Sequence, residues 1–209
     1  MSKVIVIDYK MGNLFSILHA CEKVGISAEI SNDKNKIKDA SALILPGVGA
    51  YPLAVNQLNE LELETPIKEF IQSGKKVMGI CLGMQLLMEQ SDEFGINKGL
   101  GIIDGEVVRF PHQEGDLKRR VPQITWNNVD IQDINDPLMK GIKNHEFFYF
   151  VHSNFVLPKN TQNVLCKTNF AGFEYCSVVK KDNVYGIQFH PEKSANQGLQ
   201  ILENFKQLI

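Results

Sequence analysis

The sequence is poor in several features that mark particular protein classes. Its 209 residues hold only four cysteines, Cys21, Cys81, Cys166 and Cys176, and none of them forms a Cys-x-x-Cys pair. This argues against a metal cage and against a dense disulfide framework. The apolar run Val4–Ile7 is too short for a signal peptide or a membrane span, and no later run is long enough. We expect a cytoplasmic protein with reduced thiols and neither a metal nor another cofactor.

An excess of charge of one sign is also lacking. The 22 Lys and Arg residues against 24 Asp and Glu residues leave a net charge of −2. Proteins that bind nucleic acids or membrane surfaces usually carry a broad basic surface, and this composition does not suggest one. We therefore expect neither as a partner. The densest basic run, Lys118-Arg119-Arg120, is short and most simply a solvated loop. A hydrophobic fraction of 44% suits a globular chain, and with no repeat or linker we predict a single domain, 1–209.

Predicted strands and helices alternate along the first half of the chain. Apolar runs predict strands at 3–7, 28–30, 42–45 and 76–80, and periodicity predicts helices at 14–24, 51–61, 65–73 and 82–90. The second half is richer in strands, predicted at 107–108, 147–152, 164–167, 177–180 and 184–189, before a closing helix at 196–208. This order predicts a three-layer α/β fold whose mostly parallel central sheet is flanked by helices, with a more antiparallel C-terminal half.

The segment Gly79-Ile80-Cys81-Leu82-Gly83 places a cysteine between a predicted strand and a predicted helix. A sharp turn there exposes the side chain as a nucleophile, and glycines beside it remove the side chains that would clash. The helix N-terminus favours the thiolate, and the backbone N–H of Leu82 can donate to an oxyanion. Cys81 is therefore the predicted nucleophile, and the other cysteines are predicted to pack in the core.

A base for this thiol is predicted at the end of another strand. His190 is followed by Pro191 and then by Glu192. A carboxylate this close can hold an imidazole in one tautomer and make it more basic. We predict His190 as the base and Glu192 as the residue that orients it. His152 also ends an apolar strand and is the alternative base.

The loop Pro46-Gly47-Val48-Gly49 follows a buried strand. Its glycines leave the backbone free to turn an N–H toward a ligand, and the absence of a following Lys-Ser/Thr excludes a phosphate loop. Ligands of parallel sheets bind at the carboxyl ends of the strands. This loop and Cys81 are therefore expected to share a site for acyl transfer.

These motifs resemble those of the class I glutamine amidotransferases. The resemblance rests on Gly-Ile-Cys-Leu-Gly-Met-Gln (79–85), Pro-Gly-Val-Gly (46–49) and His-Pro-Glu (190–192). More narrowly, Asp-Tyr (8–9), Gly-Asn-Leu (12–14), Tyr-Phe-Val-His-Ser (149–153) and the segment 186–194 look like the glutaminase subunits of imidazole glycerol phosphate synthase, of histidine biosynthesis. The resemblance spans the whole chain.

The resemblance implies a role for each motif. Cys81 would attack the side-chain amide of L-glutamine, His190 would activate the thiol and protonate the leaving ammonia, and Glu192 would orient His190. Backbone N–H groups at Val48, Gly49 and Leu82 would hold the oxyanion. The implied substrate contacts are Gln85, Glu93, Ser153 and Asn154.

The resemblance also implies a partner, a (β/α)₈ barrel cyclase that forms a heterodimer with the chain and receives its ammonia. The positions that match the interface are Asn13, Trp126, Asn127, Tyr149 and Lys193. One segment departs from the family pattern Pro-His-Met-Gly-Trp-Asn, because this chain reads Pro-Gln-Ile-Thr-Trp-Asn (122–127). The departures at Gln123 and Thr125 fall in a segment expected to face the partner.

Three alternatives stay open at this point. A paralogous amidotransferase could supply ammonia to a sugar-modifying enzyme of surface-polysaccharide synthesis, since it has the same core motifs. A thiol peptidase or esterase could use the same fold, although Gln85 and the pairing of His190 with Glu192 argue against it. A non-catalytic binding subunit is the third, and the intact motif residues argue against it.

Overall fold

A computed structural model of the chain describes residues 3–114 and 117–209. Its helices are α1 (Leu14–Lys23), α2 (Lys34–Asp39), α3 (Tyr51–Glu60), α4 (Glu64–Gln72), α5 (Leu82–Leu86) and α6 (Ala195–Gln207). Its strands are β1 (Val4–Ile7), β2 (Ala28–Ser31), β3 (Ala42–Leu45), β4 (Val77–Ile80), β5 (Met88–Ser91), β6 (Asn97–Lys98), β7 (Ile103–Arg109), β8 (Gln113–Glu114), β9 (Leu117–Lys118), β10 (Gln123–Asn128), β11 (Asp130–Ile131), β12 (Phe147–His152), β13 (Asn154–Pro158), β14 (Val164–Phe170), β15 (Phe173–Lys181) and β16 (Val184–Ile187).

The main sheet changes from parallel to antiparallel strand pairing along its width. Strands β2, β1, β3, β4 and β16 are parallel neighbours in that order, as the alternation of strands and helices predicts. Beyond β16 the sheet continues through β15, β13 and β7 with antiparallel pairing. The predicted fold class, mostly parallel in the centre with a more antiparallel C-terminal half, is confirmed.

Helices cover both faces of the parallel strands. Along β1 the side chains alternate between two buried clusters, because successive residues of a strand point to opposite faces. Val4 and Val6 belong to the cluster that contains the buried residues of α1 and α6, whereas Ile5 and Ile7 belong to that of α3 and α4. Burial on both faces explains why these strands are continuous apolar runs rather than alternating ones.

The helix predicted at 82–90 is wrong in its second half. It ends at Leu86, and the chain continues as β5, which pairs in parallel with β7 through Met88 and Ile103. The run Leu86-Leu87-Met88 is apolar without a period, so local pattern alone does not separate a helix from a strand there. The long-range pairing with β7 decides the strand.

Two further helix starts differ from the sequence pattern. The helix predicted at 65–73 is expected to be capped by Thr65, because Thr-Pro is a good cap and first-turn pair. Instead the first residue of α4 is Glu64, with Leu63 at the cap position, so the cap at Thr65 is wrong. Leu63 is fully buried, and its burial fixes the cap of α4 two residues earlier. The short helix α2 was not predicted, although its cap residue Asp33 accepts hydrogen bonds from the N–H groups of Asn35 and Lys36 at 2.8 and 3.1 Å.

A two-stranded antiparallel sheet, β10 with β12, stands beside the main sheet. Its inner face presents buried side chains, among them Gln123, Phe150 and His152, to the core. Its outer face carries Ile124, Trp126 and other large side chains that stay exposed. None of the helices in residues 3–114 and 117–209 has the length and apolar character to cross a membrane.

Candidate active site

Cys81 lies in the sharp turn between β4 and α5. Its backbone has φ 54° and ψ −109°, a left-handed conformation that costs a non-glycine residue about 1–3 kcal/mol. The Cys81 N–H donates to the carbonyl oxygen of Ile187 at 2.8 Å, which fastens the turn to the neighbouring strand β16. The thiol is nearly buried, and this strained turn fits the predicted elbow.

The glycines on either side of the cysteine are required by close backbone approach. A Cβ at Gly79 would lie 2.7 Å from the carbonyl oxygen of Gly83. A Cβ at Gly83 would overlap the carbonyl oxygen of Leu45, at the end of the neighbouring strand β3. The first turn of α5 therefore packs directly on the strand ends, which holds Cys81 at the carboxyl edge of the parallel sheet.

His190 reaches Cys81 from the adjacent strand. Strand β16 pairs in parallel with β4, with Ile187 opposite Ile80, so the residues that follow each strand meet at the same edge. The Nδ1 atom of His190 lies 2.8 Å from Oε1 of Glu192, and both side chains are buried. The predicted pairing of the imidazole with this carboxylate is therefore present in the fold.

The pKa of His190 reflects three opposing influences. Burial lowers it, but the hydrogen-bonding interactions of the ring with Cys81 and Glu192 outweigh burial and raise the pKa from 6.5 to about 10. In the described part of the chain the buried Nε2 atom makes no hydrogen bond of regular geometry. The charged imidazole is thus favoured beside the sulfur, with Nε2 left for proton exchange.

His152, the alternative base, is engaged elsewhere. Its Nδ1 lies 2.8 Å from the carbonyl oxygen of Asn154, and its Nε2 lies 3.2 Å from the hydroxyl of Tyr175. Burial lowers its pKa to about 4, which keeps the ring neutral at pH 7. The geometry favours His190 over His152 as the base.

The loop 46–49 lies against the start of α5. The N–H of Leu82 donates to the carbonyl oxygen of Gly47 at 3.3 Å, so the predicted oxyanion donor is occupied in this conformation. The hydroxyl of the fully buried Tyr9 donates to the carbonyl oxygen of Pro46 at 2.5 Å and holds the loop from behind. Tyr9 is a contact that the sequence reasoning missed, although the residue lies in a motif that it quoted.

A cleft of about 390 Å³ opens above the thiol. Its size is within the range of roughly 300–1,000 Å³ of small-molecule sites. The predicted residues that line it are Val48, Gly49, Cys81, Leu82, Gln85, Glu93, Ser153, Asn154 and Lys193. The chain thus brings the predicted nucleophile, oxyanion loop and substrate contacts to one cavity, with His190 and Glu192 buried behind Cys81. No group of three or more His, Cys, Asp or Glu side chains in residues 3–114 and 117–209 is arranged to hold a metal ion.

Gln188 links the thiol to the side of the cleft, and the sequence reasoning did not single it out. Its Nε2 donates to Sγ of Cys81 at 3.6 Å, and its Oε1 accepts from Nε2 of Gln85 at 3.1 Å. The same Nε2 of Gln85 donates to the carbonyl oxygen of Asn154 at 3.1 Å. Both N–H groups of Gln85 are therefore used, and its Oε1 is the atom left for a substrate. The signal available in the sequence was a glutamine within an apolar stretch, two residues before His190, and the structure shows that this glutamine is fully buried.

The other predicted substrate contacts have structural partners as well. Oε2 of Glu93 accepts from the N–H of Tyr51 at 2.6 Å, at the start of α3. The carbonyl oxygen of Ser153 accepts from the N–H of Phe110 at 3.0 Å. The Asn154 carbonyl accepts from both Gln85 and His152, so its two lone pairs are used.

The residues predicted to meet a partner are only partly brought together. Trp126 lies opposite Tyr149 on the outer face of the β10–β12 sheet, and the ammonium of Lys193 lies 6.0 Å from the Tyr149 ring centre. Asn13 is exposed in the loop before α1. Asn127 points to the inner face instead, where its Nδ2 donates to the carbonyl oxygen of Asn169 at 2.8 Å.

The departure at Gln123 does not face a partner, contrary to the sequence expectation. Its side chain is fully buried, and its Oε1 lies 3.1 Å from the hydroxyl of Tyr175. Thr125 is exposed. The change at Gln123 therefore lies in the interior and contacts the residues around His152.

A strained cysteine at a strand–helix turn, with a carboxylate-bound histidine beside it, is the arrangement typical of enzymes that use a thiol nucleophile. The sequence profile of the family Glutamine amidotransferase class-I matches residues 5–208, and the chain belongs to this family. Two solved structures share its fold. They are a structure of PurLQS from Thermotoga maritima (TM-score 0.75, 19% identity, 99% of each chain) and a glutamine amidotransferase (TM-score 0.70, 18% identity, 98% of this chain and 97% of the other).

Within that class the sequence relatives are more specific. The chain is 44% identical to imidazole glycerol phosphate synthase subunit HisH of Rhodopirellula baltica, over 97% of this chain and 96% of that protein. It is 45% identical to the subunit of the same name from Caldanaerobacter subterraneus, over 98% and 97%. The chain is a member of the HisH family. Of the two amidotransferase alternatives, the relatives favour the one in histidine biosynthesis.

Proposed function

We propose that the chain hydrolyses L-glutamine to L-glutamate and ammonia as the glutaminase subunit of an imidazole glycerol phosphate synthase, with Cys81, His190 and Glu192 as its catalytic residues. The observation that carries this proposal is the meeting of a strained cysteine and a carboxylate-bound histidine at one sheet edge, below a cleft. Two neighbouring parallel strands supply them, which is the usual location of a ligand site in such a sheet.

The reaction begins at the sulfur. Sγ of Cys81 attacks the side-chain carbonyl carbon of glutamine, and the carbon–sulfur bond forms as the carbonyl oxygen takes the negative charge. The imidazolium of His190 then gives its Nε2 proton to the amide nitrogen, which leaves as ammonia when the carbon–nitrogen bond breaks. Water attacks the resulting thioester, His190 takes its proton, and glutamate leaves as the carbon–sulfur bond breaks. Glu192 stabilises the charged ring throughout.

The developing oxyanion needs hydrogen-bond donors that are in place before the reaction. We assign this role to the backbone N–H groups of Leu82, Val48 and Gly49. The N–H of Leu82 is bound to the Gly47 carbonyl at a long 3.3 Å, so an oxyanion that carries a full charge can displace that weaker acceptor.

Substrate binding is assigned to the walls of the cleft. Gln85 offers its Oε1 as an acceptor, because its two N–H groups are already held by Asn154 and Gln188. Glu93 contributes a carboxylate near the start of α3. Ser153 and Asn154 also line the cleft, and the carbonyl of Asn154 holds Gln85.

The ammonia is expected to pass directly to a cyclase partner. In neutral water it would be protonated and lose the lone pair that makes it a nucleophile, so a sealed interface is favourable. We propose that this partner is a (β/α)₈ barrel that docks on the outer face of the β10–β12 sheet, where Ile124 is 60% exposed and Trp126 46% exposed. Tyr149 lies on this face with Lys193 beside it, and Asn127 supports it from the inner side. Asn13, exposed before α1, is assigned to the same interface.

The remaining assignments follow from the same proposal. A single domain, 1–209, carries the whole activity, with no metal, nucleic acid or membrane surface required. All four cysteines are free and buried, which fits a reducing compartment, and we assign the protein to the cytoplasm.

The test is to replace the nucleophile. Cys81→Ala is expected to reduce glutamine hydrolysis by roughly 1,000-fold or more, because the thioester route is lost. Cys166→Ala, which also removes a buried thiol, is the matched control and is expected to keep most of the activity. Glutamate release by the purified full chain, with its cyclase partner present, gives the readout. Unchanged hydrolysis by Cys81→Ala would refute the assignment, and faster turnover of peptides or esters than of glutamine would support the peptidase or esterase alternative.

A further inference from the structure

A buried chain of polar side chains runs from the inner face of β10 to the cleft. It begins at Gln123, whose side-chain amide lies 3.1 Å from the Tyr175 hydroxyl, and continues through that hydroxyl to Nε2 of His152 at 3.2 Å. From Nδ1 of His152 it reaches the carbonyl oxygen of Asn154 at 2.8 Å, the same atom that holds Nε2 of Gln85. All five residues are at least nine-tenths buried, so each hydrogen bond in the chain is costly to lose.

The direction of these hydrogen bonds follows from the two ends of His152. The Asn154 carbonyl can only accept, so Nδ1 of His152 must carry the proton that joins them. The ring is neutral at pH 7, because burial lowers its pKa to about 4. Nε2 therefore has no proton and accepts one from the Tyr175 hydroxyl.

This direction decides what Gln123 does. Having given its proton to His152, the Tyr175 hydroxyl has only lone pairs left, and its neighbour must be a donor. Thr168 does not serve, since its hydroxyl proton is donated to the Asn128 carbonyl at 3.1 Å. The Nε2 of Gln123 is buried and bonds to nothing in the described part of the chain. A half turn of the Gln123 amide brings that orphaned donor to the hydroxyl.

We propose that Gln123, Tyr175 and His152 form a directed hydrogen-bond chain that positions the Asn154 carbonyl, and with it the side chain of Gln85, for binding glutamine. Gln123 and Tyr175 are positioning residues, because they act through His152 and do not line the cleft. The inference deepens the proposed function and rests on it for the identity of the substrate. The chain ends at a substrate contact rather than at the sulfur, so its loss changes KM more than kcat.

The experiment uses two variants that each remove one link of the hydrogen-bond chain, and one matched control. Tyr175→Phe and Gln123→Met each remove one link while keeping the side-chain volume. The control, Tyr185→Phe, removes the hydroxyl of another buried tyrosine, which lies on β16 and is not part of the hydrogen-bond chain. Glutamine hydrolysis by the full-length protein with its cyclase partner present is expected to show KM raised about 5- to 10-fold in Tyr175→Phe and about 3-fold in Gln123→Met, with kcat within about two-fold. Tyr185→Phe is expected to match the wild type.

NMR of the histidine ring nitrogens, in protein with ¹⁵N-labelled histidine, tests the hydrogen-bond chain without any substrate. The wild type is expected to show His152 protonated at Nδ1 and unprotonated but hydrogen-bonded at Nε2. In Tyr175→Phe the Nε2 signal should move to the position of a free acceptor, and in Tyr185→Phe it should not move.

The outcomes separate this inference from the proposed function. A proton on Nε2 of His152 in the wild type would overturn the inference, as would variant kinetics equal to those of Tyr185→Phe or a fall in kcat at constant KM. A protein that hydrolyses no glutamine even with its cyclase partner present, but shows the expected nitrogen signals, would refute the proposed function and support the hydrogen-bond chain.

Discussion

Two buried histidines in contact with the cleft region have opposite environments. His190 has a carboxylate and a thiol beside it, and its pKa is raised to about 10. His152 has a carbonyl oxygen and a hydroxyl beside it, and burial lowers its pKa to about 4. The nearby charges, rather than burial alone, decide which ring can hold a proton at pH 7. One histidine is therefore suited to proton transfer and the other to a fixed hydrogen-bonding role.

These opposite pKa shifts predict a maximum of stability near pH 6.5. His190 binds a proton more tightly in the folded chain, so its contribution is full below pH 6.5 and is lost as the pH rises from 6.5 to about 10. His152 binds a proton less tightly when folded, so its contribution is full above pH 6.5 and is lost as the pH falls toward 4. Urea unfolding midpoints measured from pH 4 to 10 give the profile.

A variant tests whether the acid side of this profile belongs to His152. Between pH 6.5 and 4 stability is lost through the carboxylates and, in addition, through His152. His152→Gln should remove the additional part of this loss. His19→Gln, at an exposed position on α1, is the control and should leave the profile unchanged. An acid limb that is the same in His152→Gln and in the wild type would contradict the assignment.

At the scale of single elements, the junction between β4 and α5 determines the site. The helix has only five residues, and its first turn packs on the ends of two strands through glycine backbone. No side chain fits between these layers. The position of the thiol is therefore set by backbone contact, which is less adaptable than side-chain packing.

Adding one methyl group tests this packing. Gly83→Ala is expected to lower the free energy of unfolding by about 3 kcal/mol or more, because the new Cβ overlaps the Leu45 carbonyl and the backbone must move. Gly74→Ala is the control, since it has φ +81° but nothing within 4 Å of the added Cβ, and it should cost about 1 kcal/mol. Urea denaturation of both variants gives the comparison, and equal losses would contradict the prediction, because they would show that the backbone relieves the overlap at little cost.

At the scale of the whole molecule, hydrogen bonds connect the β10–β12 sheet to the segment that contains His190. The N–H of His190 donates to the carbonyl oxygen of Tyr149 on β12 at 3.0 Å, and the N–H of Tyr149 donates to Oγ of Ser194 at 3.0 Å. The strand that carries the exposed outer face thus holds the segment that carries the base. Docking of a partner on that face would therefore reach His190 through these hydrogen bonds.

A charge placed on this face should weaken association with the cyclase subunit. Ile124→Asp is expected to raise the dissociation constant by at least roughly 10-fold, because binding would bury an unpaired carboxylate. Leu157→Asp, at an apolar position that is 51% exposed on β13, is the matched control and should not change it. Calorimetric titration of each variant with the cyclase subunit measures the constant, and equal effects of the two substitutions would place the interface elsewhere.

Local sequence pattern predicted most of the parallel half of the sheet and the position of Cys81, whereas the family resemblance implied the substrate contacts that line the cleft. Strand β3 and strand β12 have the predicted bounds. Strand β5 and helix α2 were not predicted, because a short apolar run and a single helical turn are decided by what they pack against. Gln188 and Tyr175 were overlooked for the same reason, since a polar residue within an apolar strand acquires its role only from neighbours distant in sequence.

The sequence by itself determined the chemistry, because the turn around Cys81, the glycines beside it and the spacing of His190 and Glu192 are local features of the chain. Only the tertiary structure decided which groups are already used. The Leu82 N–H is bound to Gly47, both N–H groups of Gln85 are occupied, and Gln123 faces the interior. The physical reason is that hydrogen bonds between residues about 35 to 103 positions apart depend on how strands pair across the sheet, and no local pattern specifies that pairing.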